Sequence, residues 1–237
     1  MAVRIGHASG DENSKATGGN AGDQTGKEVC IRNWYLHNKG WVVLRCNDAS
    51  KREKIAEAME KACANNQIGY DQNQRNTLFN NVKGVGFDPS KTTKNVEVDC
   101  SALVRVCVAY AYGEDVVGNI TTATEPAALT KTGLFTKYTS DEYCKSSDYL
   151  LRGDILCTAT KAHTVVVLDN GAKANTTPTV NVGKPAETVH TVVKGDSLWK
   201  IAKKYLGSGG RYPEIMKLNG LTSTLIHINQ KLKIPKK

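Results

Sequence analysis

The stretch VDCSALVRVCVAY, residues 98–110, decides the fold of the larger part of the chain. From Ser101 to Tyr112 it contains neither Gly nor Pro and is strongly apolar, so it predicts a buried helix, with Asp99 as its N-cap. Cys100 then lies in the first helical turn, where backbone N–H groups and the helix dipole stabilise a thiolate. We therefore expect a lowered pKa for Cys100, while Cys107, nearly two turns later, is expected in the core.

Two strands are predicted downstream of this helix. LRGDIL, residues 151–156, predicts a turn followed by a strand. AHTVVVL, residues 162–168, predicts a second strand with His163 at its start. A thiolate attacks an amide carbonyl, and an imidazole accepts the thiol proton and later protonates the leaving amine. The sequence thus indicates Cys100 as nucleophile and His163 as its base.

An Asp-Cys-Ser helix start, followed by Arg-Gly-Asp-Ile-Leu and then His before a β-branched run, resembles the NlpC/P60 and CHAP cysteine peptidases over about residues 95–171. The resemblance implies an α+β, papain-like domain over 1–171, in which a helix-borne Cys faces a His on an antiparallel sheet. It also implies a third polar residue that orients the imidazole. Asn175, twelve residues beyond His163, is the favoured candidate; Asp169 and Asn170 are closer but belong to a turn, and the role stays open.

The segment GNAGDQTGKEV, residues 19–29, followed by Trp34-Tyr35, resembles the N-terminal part of phage-encoded endolysins of Gram-positive hosts. Asp23 and Gln24 either line the substrate groove or support an oxyanion, or they merely belong to a glycine-rich loop that enters a helix. Four histidines show no partner pattern and are expected at the surface or in packing: His7, His37, His190 and His227.

A second pattern occupies the end of the chain, in HTVVKGDSLWKIA (190–202), LNGL (218–221) and IHINQKLKIP (226–235). It predicts a short strand, two helices and a closing strand, with Asp196 or Ser197 capping the first helix.

These motifs resemble a LysM module over 188–235, a βααβ domain that binds N-acetylglucosamine polymers such as peptidoglycan. The resemblance places the sugar on Gly195, Asp196, Ser197, Leu198, Asn219, Gly220, Leu221 and Ile226, although Leu198 and Ile226 are equally typical of a core. The intervening AKANTTPTVNVGKPAE, residues 172–187, has no apolar periodicity and predicts a flexible linker.

Charge is distributed unevenly along the chain. Residues 1–171 contain 20 Lys/Arg and 20 Asp/Glu, whereas residues 189–237 contain 10 and 2, a net charge of +8. This net charge predicts that the C-terminal module binds a polyanionic surface. Because no nucleic-acid motif is present, we expect the partner to be peptidoglycan, with its anionic wall polymers, rather than nucleic acid. We further expect a monomer that does not insert into membranes.

Seven cysteines are scattered without a C-x-x-C pair, so we expect no metal and no cofactor. The first residues, MAVRIGHASG, lack a hydrophobic signal segment. We expect synthesis in a host cytoplasm without a signal peptide and action on the bacterial wall after release.

The expected function is a thiol peptidoglycan hydrolase of the endolysin type, cutting between D-glutamate and the diamino acid. Cleavage between muramic acid and L-alanine, an N-acetylmuramoyl-L-alanine amidase activity, is the alternative within the enzyme class. A non-catalytic wall-binding protein is the alternative of another class.

Overall fold

The computed structural model describes residues 2–175, 188–221 and 223–235. The chain divides into two compact units, Met1–Pro178 and Thr179–Lys237. The linker predicted over 172–187 lies, from residue 176 onwards, outside the described residues. None of the described helices is long and apolar enough to span a membrane.

The larger unit is built on a six-stranded sheet in which all neighbouring strands are antiparallel, with the order β2-β1-β8-β7-β3-β6. A separate parallel pair is formed by β4 and β5. The strands are β1 Arg4–Ala8, β2 Val29–Asn33, β3 Trp41–Cys46, β4 Ile68–Tyr70, β5 Val96–Val98, β6 Phe135–Tyr138, β7 Ile155–Thr158 and β8 Thr164–Val167.

The helices of this unit are α1 Ala49–Cys63, α2 Thr77–Val82, α3 Cys100–Tyr112, α4 Glu125–Lys131 and α5 Asp141–Cys144. The predicted apolar helix is α3, and ten of its residues are buried. Gly153, in the predicted turn before β7, has φ +85°, and a Cβ there would lie 2.0 Å from the Arg52 carbonyl oxygen. That turn therefore requires glycine.

Apolar side chains cover both faces of the large sheet. Helices α1 and α3 pack on one face, where Leu44 and Val166 join Ile55 and Leu103 in the main core. The opposite face carries a smaller cluster that includes Ile5 and residues of β3, β7 and β8. Since successive side chains of a strand point to opposite faces, β1 and β8 each contribute to both cores.

Strand β1, at the start of the chain, pairs with β8, near the end of the unit. Ile5 lies opposite Val167 and Gly6 opposite Val166. The same register carries His7 onto the face of Ile5, close to the beginning of β8. The first strand of the chain therefore adjoins the strand that follows His163.

The smaller unit has the predicted βααβ order. Its elements are β9 Thr188–Thr191, α6 Leu198–Leu206, α7 Tyr212–Leu218 and β10 Lys231–Ile234, with β9 and β10 antiparallel. Its core is formed by Val192, Leu198, Ile201, Ala202, Leu206, Ile215, Leu232 and Ile234.

Candidate active site

Cys100 is the first residue of α3, held there by an N-cap as predicted. The Asp99 carboxylate accepts a 2.7 Å hydrogen bond from the backbone N–H of Ala102. Arg75 forms an ion pair with Asp99, and its Nη2 also donates to the hydroxyl of Ser101 at 2.8 Å. Arg75 thus fixes the residues on both sides of Cys100, a role that no local sequence pattern indicated.

The thiol of Cys100 is protonated at rest, contrary to the sequence prediction. Burial, followed by the negative charge of Asp99, raises its pKa to about 12. Hydrogen bonds from the backbone N–H groups of Thr164 and Ser101 act in the opposite direction, but their effect is smaller. Cys100 is only 7% exposed, so the cost of removing a thiolate from water is larger than the stabilisation that the helix terminus gives it.

His163 lies immediately before β8, next to the Thr164 N–H that faces the Cys100 sulfur. Its Nε2 is 3.1 Å from Nδ1 of His7, and the two rings meet edge to face. This contact uses Nε2 of His163 and not its Nδ1. The partner that orients this imidazole is therefore His7, which sequence reasoning treated as a surface or packing residue.

Burial keeps both imidazoles neutral. It lowers the pKa of His163 to about 4, with smaller contributions from the positive charges of His37 and Arg32. It likewise lowers the pKa of His7 to about 3, aided by the neighbouring His163. A neutral imidazole has one bare nitrogen and can act as a general base.

Tyr70 connects the thiol to an open cavity. Tyr70 is the last residue of β4. Burial raises the pKa of its hydroxyl to about 12, and the charge of a nearby Cys100 thiolate contributes less. The hydroxyl thus stays protonated and available as a donor. A cavity of about 450 Å³ is lined by Tyr70, Gln72, His7, His37 and His163.

The structure places the other predicted residues of this unit away from that cavity lining. Asn175 is exposed at the last described residue before the gap. Asp23 accepts backbone hydrogen bonds from Thr25, Lys27 and Glu28, and the Gln24 amide donates to Ala21 and Gly22. These contacts favour the loop reading for Asp23 and Gln24, and a part in substrate binding stays a prediction.

Cys30 extends the histidine pair on its other side. It lies opposite His7 in β2, with Sγ 3.5 Å from His7 Nε2. Since His7 uses its two nitrogens in opposite directions, the three side chains form a row rather than a converging ligand set. Among the described residues, no group of three His, Cys, Asp or Glu side chains is arranged to hold a metal ion.

In the smaller unit, the first predicted loop has the expected turn and cap. Gly195 has φ +93°, and the Ser197 hydroxyl accepts from the backbone N–H of Lys200. Asp196 accepts the Val193 N–H and bonds to His190 at 2.7 Å, so its carboxylate holds the loop. Leu198 is 2% exposed and belongs to the core, and a part in sugar binding stays a prediction.

The second predicted loop is fixed by Asn219, which exchanges hydrogen bonds with the backbone of Lys233. Gly220 takes the left-handed conformation, while Leu221 and Ile226 are partly buried against the core. Several apolar side chains near these loops are exposed although they are not in the predicted sugar-binding set, among them Val193, Leu225 and Ile228.

Comparisons with known proteins agree with this division of the chain. Residues 190–235 match the LysM domain family. N-acetylmuramoyl-L-alanine amidases of two strains of Staphylococcus epidermidis are 54% identical to this chain over 46 residues, within the LysM region. That match covers 19% of this chain and 13% of the relatives, so the chain spans about an eighth of their length.

No solved structure matches the chain. Residues 5–174, which include Cys100, His163 and His7, match the endolysin-like domain family. The chain therefore belongs to the endolysin-like domain family and carries a LysM domain, which implies peptidoglycan binding, at its C-terminal end.

Proposed function

We propose that this protein hydrolyses an amide bond in the peptide part of peptidoglycan by a thiol mechanism. The endolysin-like and LysM domains together indicate a peptidoglycan-binding hydrolase. The arrangement that supports the thiol mechanism is Cys100 at the start of α3, hydrogen-bonded to the backbone N–H of Thr164, which is the residue after His163. The His163 ring is in turn paired with His7.

The chemistry follows from the protonation states. Because thiol and imidazole are both neutral at rest, His163 Nδ1 accepts the Cys100 proton as the sulfur attacks the carbonyl carbon. We assign the Tyr70 hydroxyl as the donor to the developing oxyanion, because it is close enough to Cys100 to be affected by its charge and it stays protonated. The imidazolium then protonates the leaving amine, and a water activated by the same nitrogen releases the acyl group from sulfur.

A helix-borne cysteine beside a fully antiparallel sheet supports the papain-like interpretation of the larger unit. The order along the chain differs from the expected one, because the strand with the orienting residue precedes the helix and does not follow His163. His7 therefore lies in β1, the first strand of the unit, whereas His163 lies just before β8, its last strand.

For the bond cleaved, we propose the one between D-glutamate and the diamino acid, on the NlpC/P60 resemblance. The similarity to staphylococcal amidases lies in the LysM region and carries no information about the catalytic unit. Cleavage between muramic acid and L-alanine is the alternative.

Mass spectrometry of muropeptides released from purified walls tests the proposal, because each bond leaves different new termini. The endopeptidase leaves a free amine on the diamino acid, whereas the amidase leaves a free amine on L-alanine. Release by wild type and not by Cys100→Ser is the expected result.

The buried, protonated thiol of Cys100 favours a non-catalytic wall-binding protein, which is the alternative of another class. In that case, wild type and Cys100→Ser would bind walls equally and neither would release peptides.

A further inference from the structure

Cys30 in β2, His7 in β1 and His163, just before β8, form a hydrogen-bonded row. The Sγ of Cys30 lies 3.5 Å from His7 Nε2, and His7 Nδ1 lies 3.1 Å from His163 Nε2. His7 is 3% exposed, so each of its nitrogens has a protein partner in place of water. The proposed mechanism uses only one of these two contacts.

Two proton arrangements are compatible with this row, since each neutral imidazole carries one N–H. In the first, His163 donates from Nε2 to Nδ1 of His7, and His7 donates from Nε2 to the Cys30 sulfur. In the second, every donor is reversed: Cys30 donates to His7, and His7 donates to His163.

Only the first arrangement leaves His163 competent as a base. There its Nδ1 is bare and is the nitrogen that accepts the Cys100 proton in the proposed mechanism. In the second arrangement Nδ1 already carries a proton, and the thiol has no acceptor. After proton transfer the imidazolium still donates from Nε2 to His7. In the first arrangement the hydrogen bond between the two histidines is therefore the same before and after the transfer.

We propose that Cys30 is a positioning residue that accepts the Nε2–H of His7 and thereby holds His163 in the tautomer able to deprotonate Cys100. The inference rests on the proposed thiol function. A sulfur atom suits this position because it accepts a hydrogen bond weakly without bringing a charge into the buried row. Burial raises the pKa of Cys30, so the thiol remains neutral.

The test compares full-length wild type with Cys30→Ala and Cys30→Ser by ¹⁵N NMR of the imidazoles and by kinetics on soluble muropeptides. Cys144→Ala is the matched control, because Cys144 is another free cysteine on the same sheet face, with its sulfur bonded to the Tyr138 carbonyl. Signals of His7 are assigned by their loss in His7→Asn.

In wild type, both His7 and His163 should be protonated at Nε2. Cys30→Ala should give a mixture of tautomers and lower kcat about tenfold, which corresponds to about 1.4 kcal/mol, with KM within about twofold. Cys30→Ser should recover most of kcat, since a hydroxyl also accepts, and Cys144→Ala should match wild type.

Combining Cys30→Ala with His7→Asn distinguishes a positioning role of Cys30 from a loss of packing. In His7→Asn the amide oxygen takes the place of Nδ1 and has no tautomer to select, so adding Cys30→Ala should change kcat no further. A tenfold loss in that background as well would overturn the proposal. So would unchanged tautomers in Cys30→Ala.

Failure of the proposed function has a different signature. If Cys100→Ala retained lysis and Cys30→Ala abolished it, Cys30 would be the nucleophile, and both proposals would be wrong. If neither variant lost lysis while the tautomers shifted in Cys30→Ala, the thiol mechanism would fail, whereas the tautomer selection by Cys30 would stand.

Discussion

Replacing His7 offers the sharpest test of the site, because two substitutions separate its hydrogen bond from its volume. His7→Asn keeps an acceptor at the position of Nδ1, 3.1 Å from His163 Nε2. His7→Leu fills a similar space and accepts nothing. We expect the asparagine variant to remain active and the leucine variant to lose most of its turnover.

The size of the loss follows from the hydrogen bond. His163 becomes an imidazolium during the reaction, and a hydrogen bond to a charged group contributes about 1.5–3 kcal/mol. His7 is only 3% exposed, so a leucine of similar volume in its place leaves little room for a water to act as the acceptor. At about 1.4 kcal/mol per factor of ten, His7→Leu should lower kcat by about 10- to 150-fold. KM should change little, because the bond strengthens only as charge develops.

The assay is release of soluble muropeptides measured by mass spectrometry, with kcat and KM determined on one purified muropeptide. Circular dichroism and thermal melting confirm that both variants are folded. Equal losses in His7→Asn and His7→Leu, or full turnover in His7→Leu, would refute the orienting role of His7.

Three further predictions follow. Cys100→Ser and His163→Ala should each abolish lysis of purified walls in a turbidity assay while the protein stays folded, whereas Cys107→Ser, a core change, should retain it; activity in Cys100→Ser would move the nucleophile elsewhere. Burial, followed by neighbouring carboxylates, raises the pKa of Glu97 from 4.5 to about 7, and both of its carboxylate oxygens are buried without a hydrogen-bond partner in the described structure. The folded state therefore holds this proton after the unfolded chain has lost it, so stability falls as pH rises from about 4.5 through 7; Glu97→Gln should melt at a less pH-dependent temperature than wild type between pH 5 and 8, and an unchanged pH dependence would contradict this. Removing residues 176–237 should strongly depress lysis of intact walls but barely affect cleavage of small muropeptides, since the basic LysM unit concentrates the enzyme on its substrate; salt should weaken wall binding by screening over about 8 Å, and equal loss of both activities would show that the LysM unit is needed for catalysis itself.

Local sequence determined the elements that rest on neighbours along the chain. The cap by Asp99 on the helix from Cys100 to Tyr112, the strand after His163, and the βααβ order of the LysM unit were all predictable. Each depends on hydrogen bonds and apolar periodicity within about a dozen residues, and these are visible in the sequence itself.

Only the tertiary structure decided which side chains meet. His7 reaches His163 across 156 positions because β1 pairs with β8, a register that no local pattern specifies. The pKa of Cys100 was mispredicted for the same reason: the helix terminus is local, but the burial that raises the pKa is created by packing against the sheet. Strand pairing and desolvation depend on the whole fold, so the positioning residues of this site could be assigned only after the chain was folded.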